Sequence, residues 1–133
     1  MFKYFLQFVF IVFLIPETIL AQSTYYVSVA GNNSNNGLTS NTAFATLEYA
    51  SNIVAAGDSV LVLSGSYTGF DIRTCGTSIQ PIVFKALSND VIINVRNPIT
   101  TDGINIEDAD WIEVHGFNVM NQPRAGIRIV LSD

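Results

Sequence analysis

Gly103–Ile106 (Gly-Ile-Asn-Ile) returns as Gly126–Ile129 (Gly-Ile-Arg-Ile), 23 residues later (126 − 103). Two more short segments of alternating apolar residues, Trp111–Val114 and Phe117–Val119, lie between the copies. A fixed period in the low twenties is typical of solenoid proteins, in which each coil stacks on the one before and buries a continuous core. The repeat therefore predicts coils of short parallel strands, about three strands per coil.

Alternation along these segments predicts which side chains enter the core, because successive side chains of a strand point to opposite faces. Isoleucine, valine and phenylalanine would point inward. The side chains predicted to face outward, toward solvent or a ligand, are Asn105, Glu113, Asn118 and Arg128.

A single helix is predicted over 43–55, ahead of most of the strands. Its apolar residues recur at spacings of three, three and four, at Phe44, Leu47, Ala50 and Val54. Thr42 is placed to cap the N-terminus of this helix and Gly57 to cap its C-terminus. Because the first coil of a solenoid has an open strand edge, the apolar stripe is expected to cover that edge.

Short apolar segments also predict strands upstream of the repeat, at 25–29, 60–63, 70–72, 81–86 and 91–95. Residues 64–67 are predicted as a turn, and 31–37, with four Asn and no Asp, as a loop rather than a calcium site. Segments every ~8–12 residues also fit a sandwich or a barrel. The brevity of the segments and the in-register repeat favour a parallel coil.

Composition narrows the classes of partner. The chain has 133 residues, enough for one domain, and a formal net charge of −5. An acidic chain argues against nucleic acid and anionic membranes but leaves anionic substrates open.

Cys75 is the only cysteine, so the sequence offers no disulfide framework. The only histidine, His115, has no evident partner and is expected at a corner between strands.

The N-terminus has the order of a secretory signal peptide. Lys3 precedes a nearly unbroken apolar run, Phe5–Ile15, and small Ala21 precedes Gln22. The alternative is a membrane anchor that stays attached. The predicted organisation is a signal peptide (1–21), a strand, loop and capping helix (22–57), and coils (58–133), in a protein that is secreted or held at the cell surface.

An ordered series of motifs resembles the opening of secreted right-handed parallel β-helix proteins of the pectate-lyase-like superfamily. It is similar above all to polysaccharide lyases of the chondroitinase-B and alginate-lyase type. The series covers about residues 24–130, and it is specific for the fold but weak for activity. The motifs are Tyr25–Ser28, Gly31–Gly37, Phe44–Leu47, Gly57–Val60, Gly65–Gly69 and Pro81–Ala86.

This resemblance implies an all-β fold: a right-handed parallel β-helix of about three coils behind one capping helix. In such lyases an acidic polysaccharide lies along the flank, and calcium or an arginine neutralises the uronate carboxylate. A lysine or arginine then removes the C5 proton, and the glycosidic oxygen leaves by β-elimination. Those residues lie in middle coils, so the chain is expected to be the N-terminal part of such a protein. Its catalytic residues are unknown, no cofactor is expected within this chain, and calcium is a candidate cofactor only for the full-length protein.

Two other functions stay open at this point. One is a non-catalytic adhesin or carbohydrate-binding β-helix, and the other is an inactive truncated product. The candidate contacts to a polysaccharide are Arg128, Arg124 and Trp111, since a guanidinium binds a carboxylate with two hydrogen bonds and an indole stacks on a sugar. The candidate metal ligands are Asp102, Asp108 and Asp110, although aspartates beside glycine or alanine are also ordinary turn residues.

Overall fold

The computed structural model describes residues 21–131. The predicted signal peptide therefore lies outside the described residues, apart from Ala21. A short 3-10 turn, Ser40–Thr42, precedes helix α1. The helix and strands are α1 Leu47–Ile53, β1 Thr24–Val27, β2 Ser59–Val62, β3 Gly65–Thr68, β4 Phe70–Ile72, β5 Ile82–Ala86, β6 Val91–Val95, β7 Ile104–Glu107, β8 Ile112–His115, β9 Asn118–Val119 and β10 Ile127–Val130.

The strands form three parallel sheets. Sheet 1 has the order β1-β2-β5-β8, sheet 2 the order β3-β6-β9, and sheet 3 the order β4-β7-β10. From β2 onward the chain visits sheets 1, 2 and 3 in turn and then repeats the cycle. The fold is thus mostly β, as the sequence predicted, with strands from successive cycles paired side by side.

The repeated Gly-Ile-x-Ile segments are neighbours in space. Ile127 of β10 lies opposite Ile104 of β7, and Ile129 lies opposite Ile106. The predicted in-register pairing is therefore confirmed at this position. The fixed period is not, because Phe70 of β4 pairs with Ile104 across 34 residues (104 − 70). Connections between sheets vary in length, so only the last cycle shows its repeat in the sequence.

Along each strand, alternate side chains are apolar and point into the space between the three sheets. Val60 and Phe84 are adjacent in sheet 1, and Phe70 packs against Phe84 with ring centroids 5.4 Å apart. Ile104 of sheet 3 shares this core, and all four side chains are fully buried. Each fully buried side chain of this size contributes about 1.5–3 kcal/mol relative to an exposed one.

The capping helix is shorter than predicted and begins later. Thr46 caps α1, because its hydroxyl accepts a hydrogen bond from the amide of Tyr49, 3.2 Å away. The prediction of Thr42 as the cap was wrong, since that residue ends the 3-10 turn. Phe44 is extended and bridges Val27 in parallel, so it is not helical. The sequence did not distinguish the two states, because a buried aromatic residue fits the helical period as well as the two-residue period of a strand.

The Asn-rich segment is a loop, as predicted, and its amides hold the cap in place. The Asn33 side-chain oxygen accepts hydrogen bonds from the amides of Ala45 and Thr46, at 2.8 and 3.2 Å. Asn35 donates from its side chain to the carbonyl of Ala43. Helix α1 packs on β4 and β1, so it covers strand edges at one end of the stack, as expected.

The predicted turn at 64–67 is instead strand β3. Gly65 pairs with Val91 and Tyr67 with Ile93, so β6 supplies parallel backbone partners that sequence patterns do not reveal. Gly65 has φ +151°, which a residue with a side chain rarely adopts. Because this freedom also makes glycine common in turns, the sequence predicted a turn here. Within residues 21–131, no helix has the length and apolar character needed to cross a bilayer.

The end of the stack opposite the helix is apolar and open. Strands β8, β9 and β10 each end their sheet, with one paired edge. Ile127 is 50% exposed and Ile129 66% exposed, although their partners in β7 are buried. A side chain that points toward the core thus stays half in water, because no strand is stacked above it within residues 21–131.

Candidate functional site

A polar ladder runs across the outer face of sheet 3. Asp71 of β4 lies opposite Asn105 of β7, which lies opposite Arg128 of β10. Neighbouring strands are ~4.8 Å apart, so the three side chains stand in one row. Each lies between two isoleucine or phenylalanine side chains on the core-facing side of its strand, which places the row on the opposite face of the sheet.

The helix end of the ladder is tied down around Asp71, which is 5% exposed. Its carboxylate accepts a hydrogen bond from the Asn97 amide at 2.6 Å and an ion pair from Arg73 at 3.2 Å. Its backbone amide donates to Glu48 at 2.9 Å, and its carbonyl accepts from the Ser51 hydroxyl at 2.6 Å. This end is therefore structural, because its polar groups already have partners.

The middle of the ladder is buried, against expectation. Asn105 was predicted to face solvent or ligand, but its side chain is fully buried. Asp71 and Arg128 flank it on either side, and its amide donates to Glu107 at 3.1 Å. The amide oxygen Oδ1 is buried without a hydrogen-bond donor. An unsatisfied buried oxygen costs about 1–3 kcal/mol, and the side chains of Asn94 and Gln122 also have one within residues 21–131.

Arg128 is the cation at the open end of the ladder. The residue is half-buried, and within residues 21–131 its guanidinium makes no hydrogen bond or ion pair. Its charge also contributes to lowering the pKa of Asp102, less than the Arg124 contact does. A half-buried guanidinium with free donors can bind a carboxylate through two parallel hydrogen bonds.

Arg124, a second predicted ligand contact, is engaged in an ion pair with Asp102. Its Nε donates to Asp102 Oδ1 at 2.9 Å, its Nη2 also donates to the same carboxylate, and it reaches the carbonyl of Thr100 at 2.8 Å. Asp102 is fully buried, whereas the Arg124 side chain is 48% exposed. Hydrogen bonding from Arg124 is the main cause that lowers the pKa of Asp102.

Trp111, the third predicted contact, is presented to solvent by a strained backbone. Its φ is +57° and the residue is 57% exposed. The conformation is held from both sides, because Gly76 donates to the carbonyl of Asp110 and Ile82 to that of Trp111. A β-branched or bulky residue in the left-handed region is rare and costs ~1–3 kcal/mol. The backbone that carries the exposed indole is therefore held in place.

The three predicted metal ligands are placed differently from one another. Asp102 is buried against Arg124, Asp108 adopts φ +51° in the turn after β7, and Asp110 is exposed. Within residues 21–131, no group of three His, Cys, Asp or Glu side chains is arranged to hold a metal ion. The metal prediction for these aspartates gains no support from the geometry.

The pairing of His115 with Glu113 was among the contacts that sequence reasoning missed. His115 is the last residue of β8 rather than a corner residue, and its Nε2 lies 2.9 Å from Glu113 Oε2. Both side chains are about half exposed on the outer face of sheet 1. The signal was present, because residues two apart on a strand share a face. The pair lies on a different sheet from Arg128.

Comparison with known proteins supports the fold and leaves the family open. No protein-family model matches the chain. Uncharacterized protein YwoF of Bacillus subtilis (strain 168) is 32% identical over 102 residues. That match covers 72% of this chain and 22% of YwoF, so the chain spans about a fifth of that relative's length.

Solved structures of two kinds of enzyme share the fold. GH136 lacto-N-biosidase from Eubacterium ramulus superposes with a TM-score of 0.61 at 20% identity, over 78% of this chain and 21% of that one. A rhamnogalacturonan lyase superposes with a TM-score of 0.57 at 25% identity, over 73% of this chain and 28% of that one. The chain is thus similar in fold to carbohydrate-active enzymes and matches a minor part of each.

Proposed function

We propose that this chain forms the first cycles of a right-handed parallel β-helix that acts on extracellular polysaccharides. The repeating visit to three parallel sheets and the helix over strand edges at one end support the architecture. The hand follows from the general preference of parallel β crossovers, about 98% of which are right-handed. The half-exposed Ile127 and Ile129 support further parallel cycles that would bury them.

The activity proposed is that of a lyase cleaving uronate-containing glycans by β-elimination. The observation that carries it is the likeness to a rhamnogalacturonan lyase over 73% of this chain. Arg128 supports it, because its guanidinium lies on a sheet face and makes no hydrogen bond or ion pair within residues 21–131, so it is suited to neutralise a uronate carboxylate. Arg128 would then bind substrate, and the group that removes the C5 proton would lie in further cycles.

A non-catalytic glycan-binding protein is the second candidate. The observation that favours it is the exposed indole of Trp111 on a hydrogen-bonded backbone, since stacking on a sugar ring serves retention as well as turnover. Arg128 would serve a binding protein equally. The two candidates therefore share a ligand class and differ only in whether a bond is broken.

Ultraviolet absorbance of unsaturated uronate products distinguishes the candidates. The purified protein, expressed with whatever its gene encodes beyond Asp133, would be incubated with polygalacturonate, rhamnogalacturonan and alginate. Growing absorbance on any of these polymers supports the lyase. Retention on the immobilised polymer with no absorbance change supports the binding protein. Neither retention nor turnover on all three polymers refutes both.

Secretion is part of the same proposal, through the apolar run Phe5–Ile15. N-terminal sequencing of protein recovered outside the cytoplasm tests it. A mature N-terminus at Gln22 is expected. A chain that retains Met1 and stays with the membrane would indicate an anchor instead.

A further inference from the structure

A cavity of about 530 Å³ lies beside the cap, away from the predicted ligand contacts. Its walls come from four segments: the residue Val29 after β1, the start of α1 at 45–48, the β3–β4 corner at 66–69, and 97–99 of the β6–β7 connection. This volume is in the range of small-molecule sites, which is roughly 300–1,000 Å³.

The cavity is preformed on its outer side. Asn97 is 1% exposed and anchored to Asp71, and its side-chain oxygen accepts a hydrogen bond from the amide of Ile99 at 2.9 Å. Pro98 further restricts this segment. Ile99 is 71% exposed and Val29 57% exposed, on segments that face each other across the cavity. Two large, exposed apolar side chains thus contribute to its lining.

The lining has hydroxyl groups and no positive charge. Within the described chain, no lysine, arginine or histidine lines the cavity, and Glu48 is its single charged residue. Both Glu48 oxygens accept internal hydrogen bonds, from Asp71 and Asn52. The Thr68 hydroxyl makes no hydrogen bond within residues 21–131, so it can bind a ligand. The Glu48 carboxylate in the lining disfavours anions.

We infer that this cavity binds a neutral sugar of a glycan. A sugar ring has an apolar face for Val29 and Ile99 and a hydroxylated edge for Thr68. Because the cavity lacks a cation, its ligand differs in charge from a uronate held by Arg128. The inference rests on the proposed carbohydrate-acting function for its ligand class, but it does not require that Arg128 bind anything.

Nuclear magnetic resonance of the labelled full chain tests the site directly. Lactose, cellobiose and digalacturonate would be titrated separately. A neutral disaccharide is expected to shift the amide signals of Thr68, Gly69 and Ile99. Thr68→Val removes one exposed hydroxyl and should weaken binding about two- to tenfold, as loss of one hydrogen bond predicts.

Matched controls separate binding from folding. Ile99→Ala should weaken binding, whereas Ile79→Ala, at an exposed loop residue outside the cavity, should not. Thr24→Val is the control for Thr68→Val, because Thr24 is also an exposed strand threonine whose side chain makes no hydrogen bond in the described chain.

Two results would overturn the inference. One is the absence of shifts at the cavity amides with both neutral disaccharides, and the other is digalacturonate binding there in preference to them. A protein that binds lactose or cellobiose in the cavity yet yields no unsaturated products would refute the lyase and keep the site. Unsaturated products from a protein that binds neither lactose nor cellobiose in the cavity would refute the site and keep the lyase.

Discussion

Ile104 and Ile127 offer a matched pair of substitutions. The two residues occupy the same place in the repeated Gly-Ile-x-Ile segment and lie opposite each other in sheet 3. The Ile104 side chain is fully buried, whereas Ile127 is 50% exposed. From sequence alone, an alanine at either position should cost the same. From the structure, Ile104→Ala should destabilise the protein far more than Ile127→Ala.

The magnitudes follow from burial. Ile104→Ala deletes buried carbons between neighbouring strands and leaves a cavity, which costs about 3 kcal/mol within the usual range of about 2–5. Ile127→Ala removes a half-exposed side chain, and water fills the space, so the cost is about 1 kcal/mol. With a urea m-value near ~2 kcal/mol/M, the midpoints of the two variants should differ by ~1 M.

Urea unfolding followed by far-ultraviolet circular dichroism measures both costs. Equal destabilisation by the two substitutions would refute the assignment of an open apolar end. The same pair also tests the proposal of further cycles. In a longer form of the protein, in which a further strand pairs with β10, Ile127→Ala should lower the free energy of unfolding nearly as much as Ile104→Ala.

Three further predictions concern the cap, a close backbone approach and pH. Thr46→Ala should cost ~1 kcal/mol in thermal or urea unfolding by removing the N-cap, whereas Thr42→Ala should leave the helical circular dichroism signal unchanged. Gly69→Ala should destabilise strongly and reduce soluble expression, because a Cβ there would lie 2.4 Å from a backbone carbonyl oxygen of the next cycle. Arg124 lowers the pKa of Asp102 below its ordinary value of 3.8, so this pair stabilises the fold above that pH and its contribution is lost as pH falls through the lowered pKa. Unfolding measured from pH 5 down to 2 (roughly the acid range of carboxylates) should show this loss in the native chain and a smaller one in Asp102→Asn; identical acid profiles would contradict it.

The sequence predicted most strands because their periodicity is local. β6 matches the predicted 91–95, and β4 matches 70–72. The helix start could not be predicted, because Thr42 and Thr46 are both good capping residues by type. The extended pairing of Phe44 with Val27 decided between them. β3 was missed for a related reason, since its partner β6 lies 26 residues away (91 − 65).

The site was partly predictable. Arg128 and Trp111 were selected by residue type; within residues 21–131 the Arg128 guanidinium makes no hydrogen bond or ion pair, and Trp111 is exposed. Arg124 was selected on the same grounds, but its partner Asp102 lies 22 residues away in the chain. The burial of Asn105 also depends on neighbours from two other cycles. No local pattern contains that information.

Sequence by itself determined the elements of this protein: short alternating strands, an amide-rich loop, a helix and one in-register repeat. These depend on side-chain period and backbone preference, which act over a few residues. Tertiary structure decided which of the repeated isoleucines is buried, which arginine is paired, and that a cavity opens beside the cap. Burial and pairing are set by strands that come together from distant parts of the chain. The Gly-Ile-x-Ile repeat thus specifies a direction of stacking, and only the stack determines which copy lies inside it.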